Sequence, residues 1–170
     1  LYAITTSIVV DAPPERVFPN VVGFSELDPP NDWFFKAGIA YPMRARIDGT
    51  GVGAIRRCEF STGAFVEPIT RWEFPTRLSF DVADHPAPMT EWSPYRHVTP
   101  AHLDGYLRSR HGEFRLTPLE GGRTLLEGTT WYEIRMAPAG YWTLWTDVLL
   151  HAIHTRVLEH VKKLSEAPAH

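Results

Sequence analysis

Between Pro138-Ala139-Gly140 and Pro168 lies one uninterrupted stretch, Tyr141 to Ser165, which reads as a single long helix. At 100° per residue, Trp142, Leu149, Ile153, Val157 and Leu164 fall on one stripe, with Thr146, Leu150 and Val161 beside it. A helix this long with one apolar stripe must lie against something broad. The second half, RVLEHVKKLSE, is amphipathic in the ordinary way. The first half, YWTLWTDVLLHAIH, is apolar nearly all round, with Leu144 and Val148 roughly opposite the stripe. That half calls for a second neighbour: a loop, a dimer partner or sequence upstream.

What precedes the helix supplies the broad surface. Ile4 to Val10 is a β-branched run that reads as a strand, and Asp11 stands where a helix N-cap belongs. Pro13 and Pro14 suit the first turn of a short helix carrying Val17 and Phe18, which Pro19 is expected to kink or end. Residues 24–41 read as irregular. In Trp33-Phe34-Phe35 two rings are expected to pack inward and one to stay partly exposed. From Met43 the pattern is strand and turn: strands at 43–47, 52–60, 64–74 and 77–83, with turns at Asp48-Gly49-Thr50-Gly51, Ser61-Thr62-Gly63 and Pro75-Thr76. Leu78, Phe80 and Val82 alternate with Ser79 and Asp81, the period of a half-buried strand.

Two longer strands follow, Tyr106 to Leu116 and Arg123 to Met136, joined at Glu120-Gly121-Gly122. Their more apolar faces are Tyr106, Arg108, Arg110, Gly112, Phe114 and Leu116 on the first and Leu126, Gly128, Thr130, Tyr132, Ile134 and Met136 on the second. These faces are expected to point inward. Residues 84–104 carry Pro86, Pro88, Pro94 and Pro100 and read as a long loop of the lid or binding kind. No linker or repeat divides the chain, so residues 1–170 read as one α+β domain. The chain opens Leu1-Tyr2-Ala3 without Met, so it also reads as the C-terminal part of a longer protein.

Composition narrows the function classes. With 17 basic and 20 acidic residues, a formal net charge of −3 and no run of Lys and Arg, the chain offers no nucleic-acid footprint. The single Cys58 cannot form an internal disulfide and suits a cytoplasmic, reducing setting. No apolar stretch reaches the ~18 residues a bilayer span needs. Signatures of a serine hydrolase, a phosphate loop or a dinucleotide site are absent, and no cofactor or metal is implied. Six Trp are more large rings than a small core readily absorbs, so some are expected to line a pocket or a contact surface.

Three segments are similar to one superfamily. SIVVDAPPERVF (Ser7 to Phe18) resembles its opening strand and Ala-Pro helix start. ITRWEFPTRLSFDV (Ile69 to Val82) resembles its Trp-Glu-Pro strand pair, and GEFRLTPLEGGRTLLEGTTWYE (Gly112 to Glu133) its Gly-Gly hairpin. The superfamily is the START-like or SRPBCC group, which includes polyketide cyclase/dehydrase-type proteins. The resemblance spans nearly the whole chain and implies a helix-grip fold. In that fold a curved antiparallel sheet wraps a long C-terminal helix, two short helices follow the first strand, and a cavity for an apolar or amphipathic ligand lies between sheet and helix. It implies no reaction and brings no catalytic motif.

On this footing the expected ligand-binding residues are Arg108, Arg110, Thr130, Tyr132, Met136, Trp142, Thr146, Leu149 and Ile153. Arg108 and Arg110 on an inward face would clamp an acidic head group, since a guanidinium cannot shed its charge. Equally, they could meet an internal carboxylate, or a bulge could turn both outward. Thr130 and Tyr132 could offer hydroxyls to a ligand carbonyl. Asp147, His151 and His154 share one side of the helix. That side lies ~100–150° from the apolar stripe, so it reads as a solvated or interface-facing strip rather than a base or a metal site. Cys58 reads as an inert buried thiol, and His85, His97, His102 and His111 as scattered.

The leading expectation is a non-catalytic protein that holds a lipid, polyketide or aromatic ligand. A cyclase/dehydratase-like enzyme with Arg110, Tyr132 and a His is one alternative, and it requires a His at the cavity. The other is an interaction or sensor module, working as a homodimer or with an upstream domain through residues 141–154.

Overall fold

A computed structural model describes residues 1–87, 89–90 and 106–168. Among these residues seven strands form one antiparallel sheet. In chain order they are β1 (Tyr2–Val10), β2 (Pro42–Asp48), β3 (Ile55–Phe60), β4 (Gly63–Glu73), β5 (Arg77–Asp81), β6 (Leu107–Leu119) and β7 (Arg123–Ile134). Their spatial order is β1-β7-β6-β5-β4-β3-β2. Helices α1 (Pro14–Val22) and α2 (Trp33–Lys36) bridge β1 and β2, the two edges, and α3 (Ala139–Glu166) packs on β1, β7, β2 and α1. The sheet curls around α3 as a half-barrel, the helix-grip arrangement expected from the sequence. Register shifts at Pro42/Arg44, Ile69/Arg71 and Ser109/His111 mark bulges, which add the local bend and twist a curled sheet needs. The free edge of β2 is shielded where Phe24 and Ala45 exchange backbone hydrogen bonds, both at 3.1 Å.

At the first helix the expected N-cap gives way, and so does one of the two alternatives expected at Pro19, a helix end. Asp11 is not its N-cap. Pro13 is, without a side-chain bond, and the Asp11 N–H instead donates to Glu166 Oε1 at 2.7 Å. The start of the chain is thereby tied to the end of α3, a contact that local patterning cannot reveal. Nor does α1 stop at Pro19; it runs on to Val22. An internal Pro costs roughly 3 kcal/mol. Val17, Phe18, Val21 and Val22 are all buried on this helix, and each fully buried side chain contributes roughly 1.5–3 kcal/mol, so burial outweighs the Pro. In α2 Phe35 is buried, Phe34 half-buried and Trp33 exposed.

One end of the half-barrel holds the packed apolar core. Val10, Phe18, Ile69, Leu78, Leu116 and Leu126 meet Val157, Leu158 and Val161 of α3 there. Toward the other end Tyr141, Leu144, Trp145 and Val148, in the first half of α3, are exposed. Among the described residues no helix is long and apolar enough to cross a membrane.

Candidate functional site

The space between the sheet and α3 contains two adjoining chambers. The outer one, about 770 Å³, lies under the first half of α3. Trp142, Trp145, Thr146, Leu149, Leu150 and Ile153 line it from the helix, Leu107, Ser109 and Met136 from the sheet end, and Ile39, Pro86 and Met89 from flanking segments. The inner one, about 110 Å³, lies deeper, among Arg56, Cys58, Glu67, Phe80, Phe114, Thr130, His154 and Leu158. Phe60, Phe65, Ser109, Leu150 and Ile153 face both.

Glycine makes the inner chamber possible. At Gly112 a Cβ would come within 2.4 Å of two Phe80 ring atoms, and at Gly128 within 3.4 Å of Phe114. The Phe80 ring occupies the space that a side chain would take at Gly112 on β6, whereas at Gly128 on β7 a Cβ would only touch Phe114.

The floor of this chamber is a buried ion pair. Arg56 on β3 donates to Glu67 on β4, and its Nε donates to the Val22 carbonyl at 3.0 Å. Its guanidinium also lies over the rings of Phe24, Phe80 and Phe114, 5.3–5.7 Å from their centroids. Burial alone would lower the Arg56 pKa. Glu67, with a smaller contribution from Cys58, reverses this, so the group stays charged. Cys58 is buried beside the pair; burial first, then the Glu67 charge, pushes its thiol up to about 12, and it remains a neutral thiol.

The opposite wall is a polar network between α3 and the sheet. His154 places Nδ1 3.0 Å from Thr6 Oγ1 and Nε2 2.7 Å from Thr130 Oγ1. Thr6 is shared, since His151 Nδ1 lies 2.9 Å from the same hydroxyl. One turn earlier, the buried Tyr132 donates to Asp147 Oδ1 at 2.5 Å and stacks on Tyr2. Burial, then the Asp147 bond, raises the Tyr132 phenol, which stays protonated. Burial, helped by the nearby His151, pulls His154 down to about 4, so its imidazole is neutral around pH 7.

This corrects the reading of Asp147 and His154 as part of a strip turned to solvent or an interface; His151 is exposed as that reading expected, though its Nδ1 reaches Thr6. Asp147 and His154 continue the same helical stripe as the buried Leu158, Val161 and Ser165, spaced at seven, four, three and four residues. The helix is rolled toward this stripe, so Trp142, Leu149 and Ile153 face the outer chamber and not the packed core. The missed signal was complementarity: polar positions on the helix meet Thr6, Thr130 and Tyr132, hydroxyls on inward positions of β1 and β7.

Arg108 and Arg110 need the opposite correction. Both are exposed, and neither lines a chamber. Ser109 pairs with Tyr132 and His111 with Trp131, so Arg110 is the extra residue of a bulge. Below the bulge the expected face holds, with Gly112 and Leu116 buried. Above it the alternation flips, Leu107 and Ser109 turn inward, and Arg110 swings out to Glu133 at 2.8 Å. The arginine that sequence patterning missed is Arg56, hidden in the run Arg56-Arg57 where either could face in.

Of the remaining expected residues, Met136, Trp142, Thr146, Leu149 and Ile153 line the outer chamber, Thr130 lines the inner one, and Tyr132 lines neither. His85 is at the outer chamber and His111 pairs with Asp81 at 2.8 Å. His97 and His102, with most of the expected lid, fall outside the described residues. Among the described residues no group of three or more His, Cys, Asp or Glu is arranged to hold a metal.

With this sheet, helix and cavity, the chain has a helix-grip fold. It is similar to protein CV1439 from Chromobacterium violaceum, at 16% identity over 98% of both chains with a TM-score of 0.61. It is similar as well to truncated norcoclaurine synthase from Thalictrum flavum, at 10% identity over 99% of this chain and 95% of that one, TM-score 0.59. It also matches the di-domain ARO/CYC protein BexL of the BE-7585A biosynthetic pathway, at 13% identity over 99% of this chain and 51% of that one, TM-score 0.61. No protein-family model and no curated protein matches the sequence. At these identities the similarity is one of fold.

Proposed function

We propose that this chain, acting as a single START-like domain, binds a hydrophobic or amphipathic small molecule of lipid, polyketide or aromatic type between its sheet and α3. The outer chamber carries the reading. Its volume of about 770 Å³ falls in the range of small-molecule sites, roughly 300–1,000 Å³, and apolar side chains dominate its walls. The names of two similar folds, a norcoclaurine synthase and an ARO/CYC protein, agree with small molecules as the occupants. Native mass spectrometry and thermal shift against lipid, polyketide and aromatic libraries test the reading. A ligand retained at unit stoichiometry with a raised melting temperature supports it; no hit from any class opposes it.

A cyclase/dehydratase-like activity is the second reading, and His154 in the inner wall is what favours it. Two of its other expected participants are elsewhere, since Arg110 is exposed and Tyr132 is bonded to Asp147. A general base works best with a pKa near the operating pH. His154, at about 4, is a weak base around neutrality. That weighs toward binding without turnover, and incubation of poly-β-ketone mimics with the protein separates the two.

A further inference from the structure

We infer that the inner chamber seats an uncharged hydrogen-bonding head group, a hydroxyl or a carbonyl, of a ligand whose apolar tail fills the outer chamber. This rests on the ligand-binding reading above and narrows it to a chemical class.

The charges around the inner chamber are already satisfied. Its lining includes one guanidinium, Arg56, and two carboxylates, Glu67 and Glu113. Arg56 is held by Glu67 and by the Val22 carbonyl. Glu113 accepts from Ser79 at 3.0 Å and pairs with Arg77 and Arg115, each at 3.3 Å. Among the described residues an anionic head would lose its water and gain no free cation. A cationic head would find both carboxylates engaged. Desolvating a charge without a partner is far costlier than desolvating a hydroxyl.

A neutral head, by contrast, meets a matching group. The Thr130 hydroxyl has one proton and two lone-pair sites, and the bond to His154 Nε2 uses one of these. A neutral imidazole donates from one nitrogen and accepts at the other. In one tautomer Nε2–H donates to Thr130, which frees the threonine proton for a ligand carbonyl. In the other, Thr130 donates to Nε2 and keeps lone pairs for a ligand hydroxyl. On the far side Thr6 sits between His154 and His151, at 3.0 and 2.9 Å, and can donate to either ring while accepting from the other. The network thus accommodates both kinds of neutral head without gaining or losing charge. The burial that keeps His154 neutral supports the same conclusion. Phe60, Phe65, Leu150 and Ile153, shared by both chambers, give the tail a continuous apolar path from this seat.

The opposite orientation, tail inward and head at the mouth, would place an acidic head beside Arg135 on the outer rim. The experiment therefore compares four ten-carbon ligands on the full chain, below their aggregation limits and at neutral pH. Decan-1-ol, decan-2-one, decane and decanoate compete for the neutral dye N-phenyl-1-naphthylamine. We expect the alcohol and ketone to bind about tenfold or more tighter than decanoate and several-fold tighter than decane, the scale of one added hydrogen bond. The near-isosteric Thr130→Val should bring the alcohol and ketone down to the level of decane measured in the same variant. Decanoate binding as tightly as the alcohol, with loss in Arg135→Gln, would overturn the proposal by placing the head at the rim. So would equal affinities for decane and decanol in the wild type, or a decanol advantage that survives Thr130→Val. If neither the dye nor any of the four ligands binds, the ligand-binding reading itself fails, an outcome distinct from the other three.

Discussion

Nε2 of His154 lies 2.7 Å from Oγ1 of Thr130, fastening the middle of α3 to β7 by a polar contact at the wall of a cavity. Because burial holds this imidazole neutral, with a pKa near 4 against 6.5 in the unfolded chain, folding resists its protonation. Above pH 6.5 the group is neutral in both states and its contribution is complete. As the pH falls from 6.5 through 4, the unfolded chain takes up a proton that the folded one refuses, and stability drops. The loss from this group is at most about 3 kcal/mol. Burial also lowers His160, and ion pairing lowers Glu133 and Glu166, so the wild-type slope combines several groups, and the difference from His154→Gln isolates His154. Urea midpoints at several pH values should fall less steeply with acid in the variant. Parallel slopes would contradict a buried neutral His154.

Arg56 and Glu67 are expected to behave as a pair. Glu67→Ala leaves a guanidinium charged among three aromatic rings, and breaking a buried pair this way costs about 3–5 kcal/mol. The double replacement Arg56→Met with Glu67→Leu removes both charges and should recover much of the loss. Denaturant titrations of the two variants check this; equal destabilisation would indicate that packing, and not charge, sets the cost.

Gly112→Ala should destabilise by about 1–3 kcal/mol through overpacking against Phe80. Gly112→Ala combined with Phe80→Leu, which shortens the opposing side chain, should restore part of that stability. A thermal melt in which Gly112→Ala is neutral would mean that Phe80 has room to move.

How far the fold could be read in the sequence follows from where each signal is local. The long helix, the hairpin at Gly121-Gly122 and the strand at 77–81 are marked by periodicity and turn residues, and all stand near their expected bounds. The inward face of β7, from Leu126 to Tyr132, also follows from simple alternation. Alternation fails on β6 because the bulge at Arg110 depends on pairing with β7, a contact distant in sequence. It fails on α3 for a related reason. A stripe of hydrophobic residues gives a helix its orientation only when the partner surface is apolar, and here Thr6, Thr130 and Tyr132 make part of that surface polar. The inner chamber could not be anticipated at all. It depends on which of Arg56 and Arg57 turns inward and on two ring side chains lying over Gly112 and Gly128.

The bulge has its own consequence. With Arg110 pointing out to Glu133 and Arg108 exposed, the double change Arg108→Ala and Arg110→Ala should leave the affinity for N-phenyl-1-naphthylamine unchanged. A large loss of affinity would restore these residues to the ligand site and argue against the register of β6.

The most direct measurement fills the outer chamber. Leu149 lines it from α3 without lining the inner chamber. In Leu149→Trp the indole should occupy space that the ligand needs. Fluorescence titration of the wild type with N-phenyl-1-naphthylamine should give saturable binding at one site, and Leu149→Trp should abolish it at an unchanged melting temperature. A wild type that shows no saturable binding, or a stable Leu149→Trp variant that binds the dye as well as the wild type does, would contradict a ligand cavity beneath α3.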